Sequence, residues 1–395
     1  MKKKKPEIRF NGFEGEWETT TLGECFLERV ERSAEGELIS VTISHGVVRA
    51  SDLDRIDNSS NDKSNYKVVE VGDIAYNSMR MWQGACGYSL YKGICSPAYT
   101  VVIPQNNIDV VYCFYLFKRN ETLQLFRVNS QGLTSDTWNL KYPAFSQIKC
   151  SFPSLSEQEK IGLFLTTLDK LIAKLEAKLD KLRKLKQALL EKMFVNVNRG
   201  NETPEIRFKG YTDKWQVNNV ASIFETYYDK NHPNLPVLSA TQEFGMVIRD
   251  NIGFQVQHNK ENEVGYKRVL PGQFVIHLRS FQGGFAHSMV EGVTSPAYTV
   301  MQFKKSTKQD DIYWKYVLTS KTFIKRLETV TYGIRDGRSI SFEDFSELDF
   351  TFPSLSEQEQ IGKCFTLIDT HFSKTSTKLT KLRNIKQSLL QKMFA

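Results

Sequence analysis

Two stretches of the chain carry the same strict hydrophobic spacing. Ile161, Leu165, Leu168, Ile172, Leu175, Leu179, Leu182, Leu189 and Met193 recur in alternating steps of four and three, with Lys186 in the remaining seam position. Ile361, Phe365, Ile368, Phe372, Leu379, Leu382, Leu389 and Met393 do the same, with Thr375 and Lys386 filling the matching places. This alternation predicts two long helices with a coiled-coil seam, in which a buried-side lysine can snorkel, costs stability and so can set register. Each stretch follows a proline and the signature Ser156-x-x-Glu159 or Ser356-x-x-Glu359, read as a capping box.

A single amphipathic helix could lie along its own domain. Two of equal length point to each other, because about 33 residues at ~1.5 Å each span ~50 Å, more than a domain of ~150 residues covers. The first helix leads through a short polar linker, Asn196 to Thr203, into the second half of the chain, and the second helix leaves that half. Pairing them therefore predicts an antiparallel coiled coil with a globular module at each end, a pseudo-twofold relation and chain termini close together. Phe164, Leu171, Leu185 and Leu190, with Ile385 and Leu390 in the second helix, lie beside the seam, where a two-stranded coil would leave them exposed. We expect them to dock helices of another subunit, with extra packing on the adjacent modules as the alternative.

The rest of the chain reads as short runs rich in Val, Ile, Tyr and Phe, such as Leu38 to Ile43 and Tyr99 to Ile103, punctuated by Gly and Asn. One helix is expected near Val111 to Asn129 and another near Asp311 to Glu328. The fold class is α+β, with two mixed modules related as a tandem repeat at an offset of about 200 residues. Pro6-Glu7-Ile8-Arg9-Phe10 returns at Pro204 to Phe208, Ser96-Pro97-Ala98-Tyr99-Thr100-Val101 at Ser295 to Val300, and Phe152 to Glu159 at Phe352 to Glu359. Both helices close on Leu-Leu-x-Lys-Met-Phe, at Phe194 and Phe394. The boundaries are 1–152 for the first module, 153–195 for its helix, 196–203 for the linker, 204–352 for the second module and 353–395 for the second helix. Residues 27–66 and 225–265 share almost nothing, which marks where the two modules could do different jobs.

Composition narrows the function. The 395 residues are 40% hydrophobic and 25% charged, a folded chain of two or three domains rather than a disordered one. No apolar run approaches the ~18 residues of a membrane span, and the basic start runs into Pro6 rather than an apolar signal core. Six cysteines, at 25, 86, 95, 113, 150 and 364, form no Cys-x-x-Cys pair, so neither a zinc site nor a disulfide framework is expected and a cytoplasmic location is the default. No Gly-x-x-x-x-Gly-Lys-Ser/Thr loop or Gly-x-Gly-x-x-Gly fingerprint occurs. Ser-Pro-Ala-Tyr is near the Ser-Pro-Pro-Tyr of amino-methylating DNA methyltransferases, but it lacks the second proline and any preceding cofactor loop. It is read as a turn into a strand, with a stand-alone methyltransferase kept as the alternative.

Three regions have the chemistry to meet DNA. The first is the Gly-rich loop with Asn77, Ser78, Arg80, Trp82 and Gln83, matched by His277, Arg279, Ser280 and Gln282. Arginine can pair with guanine and Asn or Gln with adenine in the major groove, while a ring packs on sugar or a thymine methyl. The second holds Ser130, Thr134 and Ser135 in a stretch reaching Trp138, matched by Tyr332, Arg335, Arg338 and Ser339, with hydroxyls, arginines and backbone N–H groups suited to phosphates. The third comprises Arg49 and Lys67 in one copy, and Arg249 and Lys267 in the other. Each of these residues could equally be a solvated loop side chain, and a coiled-coil scaffold that binds only proteins is a further alternative.

Taken together, these features resemble the specificity subunit of a type I restriction-modification system. Two variable modules, each followed by Pro-Ser-Leu-Ser-Glu-Gln-Glu and a long Leu/Lys helix ending in Leu-Leu-x-Lys-Met-Phe, are similar to that family over essentially the whole length. The resemblance implies two target-recognition domains, each reading one half of a bipartite site in double-stranded DNA. It implies that the helices act as spacer and dock two methylation subunits, through which restriction subunits join, and that the chain itself is not catalytic. S-adenosylmethionine, ATP and magnesium would belong to those partners, with no cofactor or metal in this chain. Modules related by a twofold would meet half-sites about one helical turn apart, ~34 Å, and the difference between them implies an asymmetric site.

Charge then acquires an address. The formal charge of the chain is +8, yet residues 160–192 carry +5 and residues 360–392 carry +6, so everything else sums to −3. The basic excess lies on the helices, near phosphates or acidic partners. Roughly neutral modules imply weak DNA binding by the isolated chain.

Overall fold

The computed structural model describes residues 5–54, 59–195, 203–252, 260–277, 280–330 and 340–395. It divides into two compact units, one formed by Met1–Ala177 with Thr377–Ala395 and the other by Lys178–Ser376. Among the described residues, no helix is long and apolar enough to cross a membrane.

The first unit runs β1 (Glu18–Thr21), α1 (Leu22–Cys25), β2 (Phe26–Glu28), β3 (Leu38–Thr42), β4 (Gly46–Arg49), β5 (Lys67–Val69), β6 (Ile74–Asn77), β7 (Cys86–Tyr88), β8 (Gly93–Cys95) and β9 (Tyr99–Pro104). It continues through α2 (Val110–Phe117), α3 (Asn120–Val128), α4 (Tyr142–Ser146) and β10 (Lys149–Phe152) into the long helix α5 (Leu155–Lys192). Strands order as β2-β9-β6-β7 and β4-β3-β8-β5, while β1 and β10 form a separate antiparallel pair. The central strands β6 and β9 of the first sheet are buried on both faces, which is why Ile74–Tyr76 and Val101–Ile103 read as apolar runs instead of alternating ones. Ala75 and Val101 point into a small cluster with Ile39, Val41, Val47 and Val69. Ile74, Tyr76 and Val102 point the other way, into an aromatic core with Tyr112, Phe117, Phe126 and Phe145.

The second unit repeats the build with β11 (Gln216–Asn219), α6 (Val220–Ile223), β12 (Phe224–Tyr227), β13 (Leu238–Thr241), β14 (Gly245–Ile248), β15 (Lys267–Val269), β16 (Phe274–Ile276), β17 (Ala286–His287), β18 (Gly292–Thr294) and β19 (Thr299–Phe303). Then come α7 (Ser280–Gly283, between β16 and β17), α8 (Asp311–Leu318), α9 (Lys321–Val330), α10 (Phe342–Ser346), β20 (Asp349–Phe352) and α11 (Leu355–Lys392). Its main sheet has the matching order β12-β19-β16-β17, while the second sheet consists of the pairs β13-β14 and β15-β18 joined by one parallel bridge, Val237 to Val293.

Every seam position from Ile161 to Met193 and from Ile361 to Met393 is buried or half-buried, Thr375 included. The two helices run antiparallel where they meet inside each unit. In the first, Lys386 pairs with Asp169 at 2.5 Å and Arg383 with Glu176 at 2.5 Å. In the second, Lys186 pairs with Asp369 at 2.5 Å. Tyr115 donates to Asp169 at 2.7 Å and Tyr316 to Asp369 at 2.8 Å, tying each cross-helix pair to a module. The helix ends complete the cores: Met393 and Phe394 belong to the first core, and Met193 to the second with Phe194 packed on it.

Two expectations are corrected. The helix near Val111 to Asn129 is two helices, broken at Lys118–Arg119. Arg119 takes an extended backbone, donates to the Ala395 carbonyl at 3.1 Å and lies over the Phe394 ring, while Lys118 turns back to the carbonyls of Ile43 and Gly84. In the second unit the matching break falls at Ser320, whose hydroxyl accepts from Phe323 N at 3.2 Å. The start of each long helix also lies two residues earlier than the capping-box reading, at Leu155 and Leu355. Glu159 is exposed, whereas Glu157 is buried and accepts a two-pronged grip from one edge of the Arg9 guanidinium, Nε and Nη2, at 2.8 and 2.7 Å. Arg207 grips Glu357 in the same way, at 2.9 and 2.7 Å.

Candidate nucleic-acid interface

In the first unit, β6 ends at Asn77, whose side-chain oxygen accepts from Met79 N at 3.0 Å and turns the chain. Arg80 N then donates to Asn77 O at 2.9 Å and Gln83 N to Arg80 O at 3.0 Å, winding a short 3-10 turn over Met81–Gln83. Met81 is fully buried and anchors that turn. Gly84 closes it with φ +82°, a left-handed conformation that favours glycine. With Met81 inside, Met79 and Arg80 face solvent.

The second predicted region folds against the first. Leu140 N donates to Ser78 O at 2.8 Å. The Trp82 indole donates to Met79 O at 3.2 Å and meets Trp138 edge to face, with centroids 5.2 Å apart. Arg127, at the end of α3, lies over the Trp138 ring at 5.1 Å. Thr134 and Ser135 are exposed on the same loop. The structure therefore joins the two regions into one surface with paired indoles at its centre and Arg80 and Arg127 beside them, a combination suited to backbone and base-edge contacts. Arg127 and Trp138 were not singled out as site residues. The signal was available, since Arg127 falls in the last turn of a helix leading into the loop.

Other candidates are placed differently. Ser78 is buried and bonded to the Thr100 hydroxyl at 2.8 Å, and Ser130 spends its hydroxyl on Phe126 O at 2.7 Å, so both hold the loops. Gln83 is half-buried. In the third region, Arg49 pairs with Glu37 at 3.2 Å over the Tyr91 ring, and Lys67 reaches Glu28 at 3.4 Å. Arg249 donates to Ser239 at 3.2 Å, and Lys267 to Tyr298 O at 2.6 Å. Burial, with the nearby Lys230 charge, lowers the Lys267 pKa from its usual value. The two lysines are thus engaged internally and brace strands.

In the second unit His277 is buried and lies against Tyr298, with ring centroids 6.2 Å apart, which corrects its assignment as a direct contact. Gln282 is exposed. Gly284 occupies the place of Gly84, and a Cβ there would meet the Leu318 carbonyl oxygen at 2.2 Å. Arg279, Tyr332, Arg335, Arg338 and Ser339 lie outside the described residues, and of Ser280 only the backbone, at the start of α7, is described.

Comparison with known proteins places this geometry. Residues 14–184 match the family model described as the type I restriction modification DNA specificity domain. The type I restriction enzyme MjaVIII specificity subunit of Methanocaldococcus jannaschii is 22% identical over 321 residues, covering 76% of this chain and 73% of that protein. The putative type I restriction enzyme MjaX specificity subunit of the same organism is 20% identical over 351 residues, covering 83% and 79%. The crystal structure of the type I restriction-modification S subunit from M. genitalium superposes with a TM-score of 0.59 at 14% identity, covering 99% of each chain, which shows a shared fold.

Residues 14–184 thus form a type I restriction modification DNA specificity domain, and most of the chain is similar to type I specificity subunits.

A specificity subunit is the non-catalytic member of its system, and the stand-alone methyltransferase reading is not favoured. Ser-Pro-Ala-Tyr is a turn in both copies: Tyr99 N donates to Ser96 O at 2.9 Å before β9, and Tyr298 N to Ser295 O at 3.0 Å before β19. The stripe beside the coiled-coil seam is also clearer in this family context. Leu171, Leu185 and Ile385 are exposed, as are Leu163 and Leu367, which the pattern did not single out. Phe164 is partly covered by the Phe10 ring at 5.5 Å, and Leu190 and Leu390 pack on the two cores.

Proposed function

We propose that this specificity subunit reads an asymmetric bipartite site in double-stranded DNA, one module to each half-site. The coil sets the distance between half-sites. Its exposed stripe, Leu171, Leu185 and Ile385, docks two methylation subunits, and restriction subunits join through them. S-adenosylmethionine, ATP and magnesium act on those partners. Arg80, Trp82, Thr134 and Ser135 serve one half-site. Arg279, Gln282, Arg335 and Arg338 serve the other.

The observation that carries this reading is the stitched surface of the first unit, where a Met81-anchored turn and the Trp138 loop present paired indoles and arginines on a rigid frame. Elsewhere the frame is shared between modules while these loop residues differ. Outside the two helices the chain sums to −3, so tight binding requires the assembled complex.

Single-molecule sequencing of methylated positions, in cells expressing the chain with its partner subunits, gives the site. Replacing residues 77–84 and 129–138 together is expected to change one half-site and leave the other intact. Lengthening the chain where a helix joins its module is expected to change the spacing and neither half-site. A change in both half-sites from the first replacement would overturn modular reading, and an unchanged spacing would overturn the ruler.

A further inference from the structure

We propose that Leu133 is a wedge that enters the base stack of the half-site read by the first module, an inference that rests on the DNA-reading function above. Its side chain is fully exposed, at 101% of the reference area. It sits at the tip of a loop whose shape is fixed at several points. Gln131 and Asn139 exchange backbone hydrogen bonds at 3.0 and 2.7 Å, and Thr137 N and Trp138 N both donate to Thr134 O, at 2.9 and 3.1 Å. Thr134 N donates to the Thr137 hydroxyl at 3.1 Å. Gly132, with φ +142°, brings the two sides so close that a Cβ there would meet the Thr137 carbonyl oxygen at 2.6 Å. The tip is thus held out before any partner arrives, which lowers the ordering cost of insertion.

A lone exposed leucine is ordinary on a protein surface. This one belongs to a set. The base of its loop is Trp138, packed on Trp82 and covered by Arg127, with Arg80 and Met79 exposed on the adjoining turn. An apolar tip on a loop whose base carries arginines matches the composition of surfaces in which an apolar side chain parts a base step while cations hold the phosphates. Leu133 has no hydrogen-bonding group, so it selects sequence through the ease of opening a step, favouring flexible pyrimidine–purine steps.

The test uses the full chain assembled with its methylation subunits and duplexes carrying 2-aminopurine at successive positions of that half-site. With the unaltered chain, fluorescence is expected to rise at one step. Leu133→Ala should abolish the rise and weaken binding roughly tenfold, while Leu133→Met should keep both. A mismatch at the same step, which opens the stack in advance, should restore Leu133→Ala binding. No brightening with the unaltered chain overturns the wedge, as does a Leu133→Ala loss that the mismatch leaves uncorrected. Release of methylation subunits by Leu133→Ala would instead make the tip a protein contact and overturn it equally. Arg80→Ala separates the two levels. If it weakens this half-site, DNA reading by these loops stands when the wedge fails; if it does not, the reading fails as well.

Discussion

The two modules are one frame carrying different contents. The Arg9–Glu157 and Arg207–Glu357 forks match within 0.1 Å. Asp109 and Asp310 cap α2 and α8 at the same 2.6 Å, and Gln158 and Gln358 each accept from that cap residue's own N–H at 3.0 Å. Away from these ties the modules part. The continuous four-stranded second sheet of one is, in the other, two pairs joined by a single parallel bridge, Val237 to Val293. Tyr88 faces Ile74 across β6–β7, where His287 faces Phe274 across β16–β17. What is shared lies where the long helices are held, and what differs lies in strands and loops facing away from those ties. A duplicated reader can change its reading as long as its grip on the coil is untouched.

The largest effects should come from breaking that grip. Phe394 is buried at 3%, stacked on Tyr112 at 5.1 Å, while Phe194 is only half-buried, 5.5 Å from Tyr313. Phe394→Ala is expected to cost about 3–5 kcal/mol, and Phe194→Ala clearly less, in denaturant unfolding of the full chain. Equal losses would mean that the two helix ends are anchored alike despite their different burial.

Next comes the buried fork. Arg9→Ala leaves the Glu157 carboxylate, 1% exposed, without its partner, at an expected cost of about 3 kcal/mol. Arg207→Ala should cost the same in its own module. Replacing both members, Arg9→Met with Glu157→Leu, should recover most of the loss, because the penalty is an unpaired buried charge. If the double variant is no better than the single one, the pair itself supplies stability.

This fork also shows what was legible beforehand. The heptad seam, the repeat and the turn at Ser-Pro-Ala-Tyr all follow from local spacing, and each lies where the pattern put it. The partner of Arg9 is 148 residues away, and Ser156-x-x-Glu159 fits a cap rule as well as Ser154-x-x-Glu157 does, so only tertiary packing chooses Glu157. The break at Lys118–Arg119 was hidden for the same reason, since Arg119 is drawn to Ala395 from far along the chain. At the candidate interface the loops were legible because Gly, Asn and Trp are conspicuous between strands. Their joining through Trp82 and Trp138 was not, and neither was the burial of Ser78 and His277, which depends on side-chain direction at a strand end.

A smaller effect separates the readers. Arg80→Ala should weaken binding at the first module's half-site by about 1–3 kcal/mol and leave the other half-site unchanged, read by competition between duplexes altered in one half at a time. A uniform loss at every sequence would make Arg80 a phosphate contact.

The smallest expected effect tests a difference inside the modules. His287, 1% exposed, bonds Asp311 at 2.8 Å, and this bond holds the Asp311 carboxyl below its usual range. In the first module α2 begins with Val110, which offers no such carboxylate. A group whose pKa is lowered by folding contributes stability that is fully present above its unfolded value, near 4, and is lost as pH falls through the folded value. The difference between the unaltered chain and Asp311→Asn should therefore be constant from neutrality to about pH 5 and shrink on further acidification. Because Asp311 is about one-third exposed, the whole effect should stay below about 1 kcal/mol. Hydrogen exchange in β17 and at the start of α8 would report it, with the β7 and α2 segments as the internal control. A gap that widens toward low pH would mean that the pair strains the second module rather than bracing it.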